Sequence, residues 1–445
     1  MENKEYQEVQ HDVIPKWSIG FQVSSESKWW TLSSLRDFVK HRVQSFKDRL
    51  CLDELSGMVG DFGVLIPLLA SCAKLGSVKL GPAMFWMGIF NIISAVQWDI
   101  PMPVQPMKSI AAVAISDGMA PGTFAAAGII TGGAVWILGI THTIEMVNRL
   151  IPKCVISGMQ VGLGIKMAAK GCSYWHTNQW IDHIDGKLTC LLCLLATTYM
   201  LVRTKLPSAL LIFTLGLLLT IIMMVRDSVK LEMSFLNLEV IAPSDDEWKN
   251  GLLQGAIPQL PLTTLNSVVS VCALSVDLFR DPKDGGKGVS RVSVATSVGL
   301  MNVIGCWFGG MPSCHGAGGL AGQYRFGARG GTSIFILGLA KIFLALVFGS
   351  SLDALIQYYP VAILGVLLLY AGVELATVGA KLIMKSERLD EDMLPCFVTA
   401  GAYIGSQNMA LGVSAGVIVA MIQRMDKFRE IPALIMGMDT NGSTK

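Results

Sequence analysis

Turn signals divide the chain into a long series of apolar stretches, most of them close to the roughly 20 residues a helix needs to cross a bilayer core of about 30 Å. They fall at 54–72, 82–98, 103–116, 122–140, 152–169, 187–202, 207–225, 256–278, 291–308, 313–325, 331–349, 354–373, 393–406 and 408–423. A soluble core cannot hide this much apolar surface. Of 445 residues, 52% are hydrophobic and 15% charged, whereas soluble domains carry about 25% charged residues. The expected fold class is therefore an all-α polytopic membrane protein with fourteen spans. A net charge of +2 leaves no electrostatic footprint for nucleic acid.

Loops on the N-terminal side of the membrane, such as 149–153, 280–291 and 381–388, hold more Lys and Arg than the loops opposite. This places both termini in the cytoplasm. The first residues are polar and include acids, so neither a cleaved signal nor a transit peptide is expected. Between Trp30 and Leu50, apolar residues alternate with basic ones in the pattern of an amphipathic helix lying on anionic lipid. The expected organisation is an N-terminal segment (1–50), a first seven-span unit (51–225), an acidic connector (226–250), a second seven-span unit (251–423) and a short tail (424–445).

The two units echo each other. Met102-Pro103 opens the third span and Met311-Pro312 the tenth, with the prolines 209 residues apart; Pro152 opens the fifth and Pro360 the twelfth, 208 apart. With seven spans in each unit, the second must be inverted relative to the first, which is a transporter architecture.

The run Pro101-Met102-Pro103-Val104-Gln105-Pro106-Met107-Lys108-Ser109 stands where the third span should begin yet contains three prolines. Alternate prolines enforce an extended backbone, and Pro106 suits the start of a helix. The span thus reads as half strand, half helix; the rival reading is a loop at the membrane surface. Its partner, Gly309 to Gly319, contains Ser313 as a candidate N-cap, then Cys314, His315 and Gly316. Two facing helix N-termini supply about one positive charge, and Lys108 brings the total to about +2, which matches a tetrahedral dianion. Gln105, Ser109, Ser313 and His315 add directional donors. An ion pair with Asp61, or a side chain reaching water, remains open for Lys108.

Asp61 sits about 10 Å into the first span, where a carboxylate either pairs with a cation or carries a coupling proton. The eighth span contains Gln254, Gln259, Thr263, Thr264 and Asn266, which either line the same cavity or join helices. Glu374 and Lys166 read as interfacial anchors near span ends. Cys190 and Cys193 read as small core residues, since no second pair or His lies near them. If Cys314 and His315 lay on a helix they would point about 100° apart, against a nucleophile–base pair; no enzyme, cofactor or metal site is implied.

The segments MPVQPMKSIAAVAIS (102–116), AIPQLPLTTLNSVVSVC (256–272) and GGMPSCHGAGGLAGQYRFGARGG (309–331) closely resemble signatures of the eukaryotic molybdate-anion transporters, relatives of the SulP sulfate permeases. The resemblance implies two inverted seven-span repeats, a core domain packed against a gate domain, and a site between the third and tenth half-helices. It also implies uptake or redistribution of molybdate across a plasma, vacuolar or other internal membrane. The expected binding residues are Gln105, Lys108, Ser109, Gln259, Thr263, Ser313, Cys314, His315 and Gly316, with Asp61 as the coupling candidate. The short tail leaves no room for the STAS domain of typical SulP proteins, which fits the molybdate branch. Sulfate transport and a passive anion channel are the alternatives; protons, lipid and a second copy of the chain are the other partners considered.

Overall fold

In lipid only a helix satisfies its backbone donors and acceptors within one segment, and the apolar runs fold accordingly. The computed structural model describes residues 40, 42, 44–58, 62–144, 152–176, 185–203, 207–229, 235–279, 288–349 and 351–435. The helices are α1 (Leu52–Met58), α2 (Phe62–Lys74), α3 (Leu80–Trp98), α4 (Lys108–Val113), which continues into a π-helical turn (Ala114–Gly118), α5 (Pro121–Ile140), α6 (Lys153–His176), α7 (Lys187–Arg203) and α8 (Ser208–Arg226). After the connector come α9 (Asp245–Leu278), α10 (Arg291–Gly305), α11 (Ala317–Arg325), α12 (Thr332–Phe348), α13 (Ser351–Gln357), α14 (Val361–Met384), α15 (Leu389–Ser406) and α16 (Met409–Ile435). Two short strands, β1 (Val104–Pro106) and β2 (Ser313–His315), precede α4 and α11.

Among the described residues six helices are long and apolar enough to cross a membrane, and the bent pair α12–α13, turned by 96°, makes a seventh. The chain is thus a multi-pass, all-α membrane protein. Local sequence sets the boundaries. Asp99 ends α3 in the left-handed region (φ 52°), Pro121 occupies the first turn of α5, and Ser244 with Glu247 forms a capping box on α9. Pro258 and Pro261 remove two backbone donors inside α9, which stays continuous by widening into π-helical stretches at Gly251–Ala256 and Thr263–Ser270.

The helices form two packed groups. In one, α3 lies along α12, and α5 packs on both α10 and α9, with the strands and α4 between them; in the other, α6 pairs with α14 and α15, and α15 with α16. The α6–α14 crossing is close because both helices present glycine. A Cβ on Gly164 would stand 2.5 Å from the carbonyl oxygen of Gly372, so small residues let the backbones touch. The groups meet where α4 and its π turn lie on α6, and where α2 lies on α14 and α8.

Buried Glu54 accepts hydrogen bonds from the N–H groups of Arg329 (2.7 Å), Gly330 (2.7 Å) and Ser333 (3.1 Å), so its charge caps the start of α12. Most of the segment 30–50 lies outside the described residues, and its described end is docked on protein. Phe46 is buried with Ala95 and Ile334, its ring 4.9 Å from that of Phe335, and Arg42 pairs with Asp99 at 3.2 Å. The physical reason is local: the buried carboxylate of Asp99 needs a cation, and Phe46 finds apolar partners beside it.

Candidate functional site

The two proline-interrupted segments meet. β1 and β2 pair antiparallel, with Val104 opposite His315, Gln105 opposite Cys314 and Pro106 opposite Ser313, and the N–H of Met107 donates to the carbonyl of Pro312 at 2.8 Å. All six strand residues are buried. Each strand leads into a helix, so the start of α4, at Lys108, lies beyond one end of the bridge and the start of α11, at Ala317, beyond the other. Their first residues are 209 apart, the same offset as Pro103 and Pro312.

Two residues that sequence reasoning missed hold the bridge in place. Asn91 of α3 accepts from the N–H of Val104 at 2.7 Å. Asn302 of α10 accepts from the N–H of Ser313 at 2.8 Å and donates to its carbonyl at 2.6 Å. Both are almost fully buried, and they satisfy backbone groups that the short strands leave unpaired. Their signal in the sequence was a lone Asn in the apolar run just before each break.

Glutamine side chains cover both half-helix ends. The Oε1 of Gln259 accepts from the N–H of Ser109 (2.9 Å) and of Ile110 (3.3 Å), while its Nε2 donates to the Oγ1 of Thr263 (2.8 Å). Gln105 lies over the start of α11: a Cβ on Gly316 would collide with its Oε1, and one on Gly319 would stand 2.6 Å from its Nε2. Only glycine leaves room for the amide there. The helix cap is Gly316, and Ser313, suggested as the cap by its residue type, lies in β2 with its hydroxyl donating to the carbonyl of Met311 at 2.7 Å.

Opposite residues of an antiparallel pair share a face, so the bridge divides the expected site residues. Gln105 and Cys314 lie on one face. Ser313 and His315 lie on the other. There the Nε2 of His315 and the Oγ of Ser297 are 3.0 Å apart, and its ring meets Trp98 edge-on at 5.0 Å. The Oγ of Ser109 is buried with no hydrogen-bond partner. Lys108, half-buried, lines a cavity of about 20 Å³ with Leu68, Met167, Ala371, Glu374 and Leu375. Asp61 lies outside the described residues.

Lys166 and Glu374 belong to this region rather than to span ends. Each is the fourteenth residue of a 24-residue helix, α6 and α14 respectively. Lys166 forms an ion pair with Asp117, at the end of the α4 π turn, with side-chain exposures of only 12% and 15%, and its ammonium lies 4.5 Å from the ring centre of Tyr403. A larger cavity, about 560 Å³, opens at the ends of α6, α14 and α15. It is lined by Lys153, Lys385 and Arg388 but also by Glu387, Glu391 and Asp392, so it offers a dianion no net charge. Among the described residues no cluster of His, Cys, Asp or Glu could hold a metal ion.

This arrangement of apolar helices around a bridge of two broken segments has the fold of a class of membrane anion transporters, the SulP and Solute Carrier 26 type. Murine Solute Carrier 26 family member A9, an anion transporter solved in its inward-facing state, superposes with a TM-score of 0.62 at 14% identity, covering 92% of this chain and 74% of that one. The transmembrane domain of a cyanobacterial bicarbonate transporter does so with a TM-score of 0.58 at 15% identity, covering 84% and 97%. The family is set by sequence: the pattern of the molybdate transporter family of the MFS superfamily matches residues 53–167 and 251–375, and the chain belongs to that family. Molybdate transporter 2 of Arabidopsis thaliana is 38% identical over 419 residues, 84% of this chain and 87% of that protein. Molybdate transporter 1 of Chlamydomonas reinhardtii is 30% identical over 485, covering 85% and 92%.

Proposed function

We propose that this protein is a secondary active transporter of molybdate, which it carries across a membrane by alternating access. The observation that carries the proposal is the bridge, which sets the start of α4, with the ammonium of Lys108, at one end of a two-stranded pair and the start of α11 at the other. The half-helices and the ammonium together amount to about +2, which balances a tetrahedral dianion. The relatives named as molybdate transporters support this particular dianion.

On this reading the fourteen spans form two inverted seven-span repeats, 51–225 and 251–423, with both termini cytoplasmic. The group containing the bridge is the core and the α6–α14 group is the gate. The oxyanion sits on the Gln105–Cys314 face beside Lys108 and takes over the N–H groups of Ser109 and Ile110 from Gln259. The amides of Gln105 and Gln259 act as neutral placeholders that move aside. Thr263 retains Gln259 after it moves, Ser109 offers its hydroxyl, and the glycine at 316 lets the anion approach the start of α11. Ser313 and His315 act from behind the bridge by holding its shape. Binding must stay moderate, because a site that held the dianion too tightly would release it slowly.

Proton coupling through Asp61 belongs to the same proposal, motivated by the depth of that carboxylate in the first span. Replacing Asp61 with Asn is expected to flatten the pH dependence of uptake, and an unchanged profile would remove Asp61 from the mechanism. Uptake of labelled molybdate into proteoliposomes tests the function itself. The expected result is saturable uptake that resists an excess of sulfate. Equal competition by sulfate would point to a sulfate transporter, and currents far above transporter turnover to a passive channel.

A further inference from the structure

The gate helices carry opposite charges at matched positions. Lys166 of α6 and Glu374 of α14 are 208 residues apart, the offset of Pro152 and Pro360, and each lies two residues beyond the glycine at which the helices touch, Gly164 and Gly372. The α4 segment carries Lys108 at its start and Asp117 in its π turn, nine residues or about 14 Å farther along. Lys166 is ion-paired with Asp117. Glu374 shares the small cavity with Lys108. The charge order on the gate is therefore complementary to that on α4.

Glu374 stands in the middle of an apolar helix, yet its side chain is exposed. A carboxylate at that depth is too costly to face lipid, and Glu374 lines the cavity it shares with Lys108. That cavity, at about 20 Å³, has room for a water molecule or so, too little for a tetrahedral oxyanion. An oxyanion needs this space to widen, and widening it by moving α14 carries Glu374 away from Lys108.

We infer that Glu374 is a tethered counter-anion for Lys108: it takes the place of the oxyanion when the gate closes on the core, and so drives substrate release. Charge at the site then alternates between a mobile dianion and a fixed carboxylate, and Lys108 is never left without a counter-charge. Glu374 is a positioning residue that acts through Lys108. The inference rests on the transport reading above.

The test is molybdate binding and proteoliposome uptake by purified wild type, Glu374→Gln and Glu374→Asp. Removing the charge should tighten molybdate binding at least about tenfold, the scale of one unit charge acting across a partly solvated gap, and lower the maximal rate by a similar factor. Glu374→Asp keeps the charge and should keep wild-type affinity and rate. Glu374→Ser repeats the measurement with a smaller neutral side chain should the Gln variant not purify as a folded protein. Affinity of the neutral variants within twofold of wild type, or weaker, overturns the inference, as does an Asp variant that behaves like Gln. A wild-type protein that binds molybdate while the neutral variants match it defeats this inference alone; a wild type that binds none defeats the transport reading and this inference with it.

Discussion

Replacing Gln259 with alanine separates two roles at the start of α4. The Oε1 of Gln259 accepts from two buried backbone donors, at 2.9 Å from Ser109 and 3.3 Å from Ile110. Alanine leaves both without a partner, and a buried donor left unsatisfied costs about 1–3 kcal/mol. The second bond is long and so weaker, which puts the expected loss of stability at about 2–4 kcal/mol. If the oxyanion takes over these same donors, it must first displace the wild-type amide, whereas in the variant the donors stand open. Part of the lost stability then returns as affinity, and each 1.4 kcal/mol is a factor of about ten. The assay is thermal unfolding of purified wild type and variant across a molybdate series. The variant should melt lower without molybdate, gain more from saturating molybdate, and bind about 10–100-fold more tightly. Weaker binding would make Gln259 a ligand in its own right, and unchanged stability without molybdate would refute the reasoning from the two hydrogen bonds.

Asn302→Ala removes both hydrogen bonds to Ser313 and should destabilise the fold by about 2–6 kcal/mol, measured as loss of folded protein and a lower melting temperature; a variant as stable as wild type would show that the bridge does not need this support. Asp117→Asn leaves the half-buried ammonium of Lys166 without its carboxylate and should cost about 1 kcal/mol, the scale of a pair still in reach of solvent. Adding Lys166→Met should restore most of that loss, and a double variant no more stable than Asp117→Asn would contradict the ion-pair account.

What was legible in the sequence followed from backbone chemistry. Prolines at 101, 103 and 106 forbid a continuous helix, and the repeated Met-Pro located its counterpart 209 residues on. The antiparallel contact between them was less accessible, because two three-residue strands carry no periodicity, and with it went the division of faces that sets Cys314 apart from His315. Gln259 was identified as a polar group in α9, yet its role at the start of α4 depends on a contact 150 residues away in sequence. Lys166 and Glu374 read as anchors because the apolar stretches 152–169 and 354–373 end near them; the helices continue well past both, and long-range packing pairs Lys166 with Asp117. Asn91 and Asn302 were passed over because a lone Asn in an apolar run does not reveal the neighbouring backbone it satisfies.

The most direct measurement of the central claim is the position of molybdenum itself. Crystals of the protein grown with molybdate, measured around the molybdenum absorption edge, give an anomalous peak wherever the anion binds. One dominant peak is expected on the Gln105–Cys314 face of the bridge, between the first residues of α4 and α11 and within reach of the Lys108 ammonium, weakened or absent in Lys108→Ala. A dominant peak in the large cavity beside Lys153 and Arg388, or one unchanged by Lys108→Ala, would contradict it.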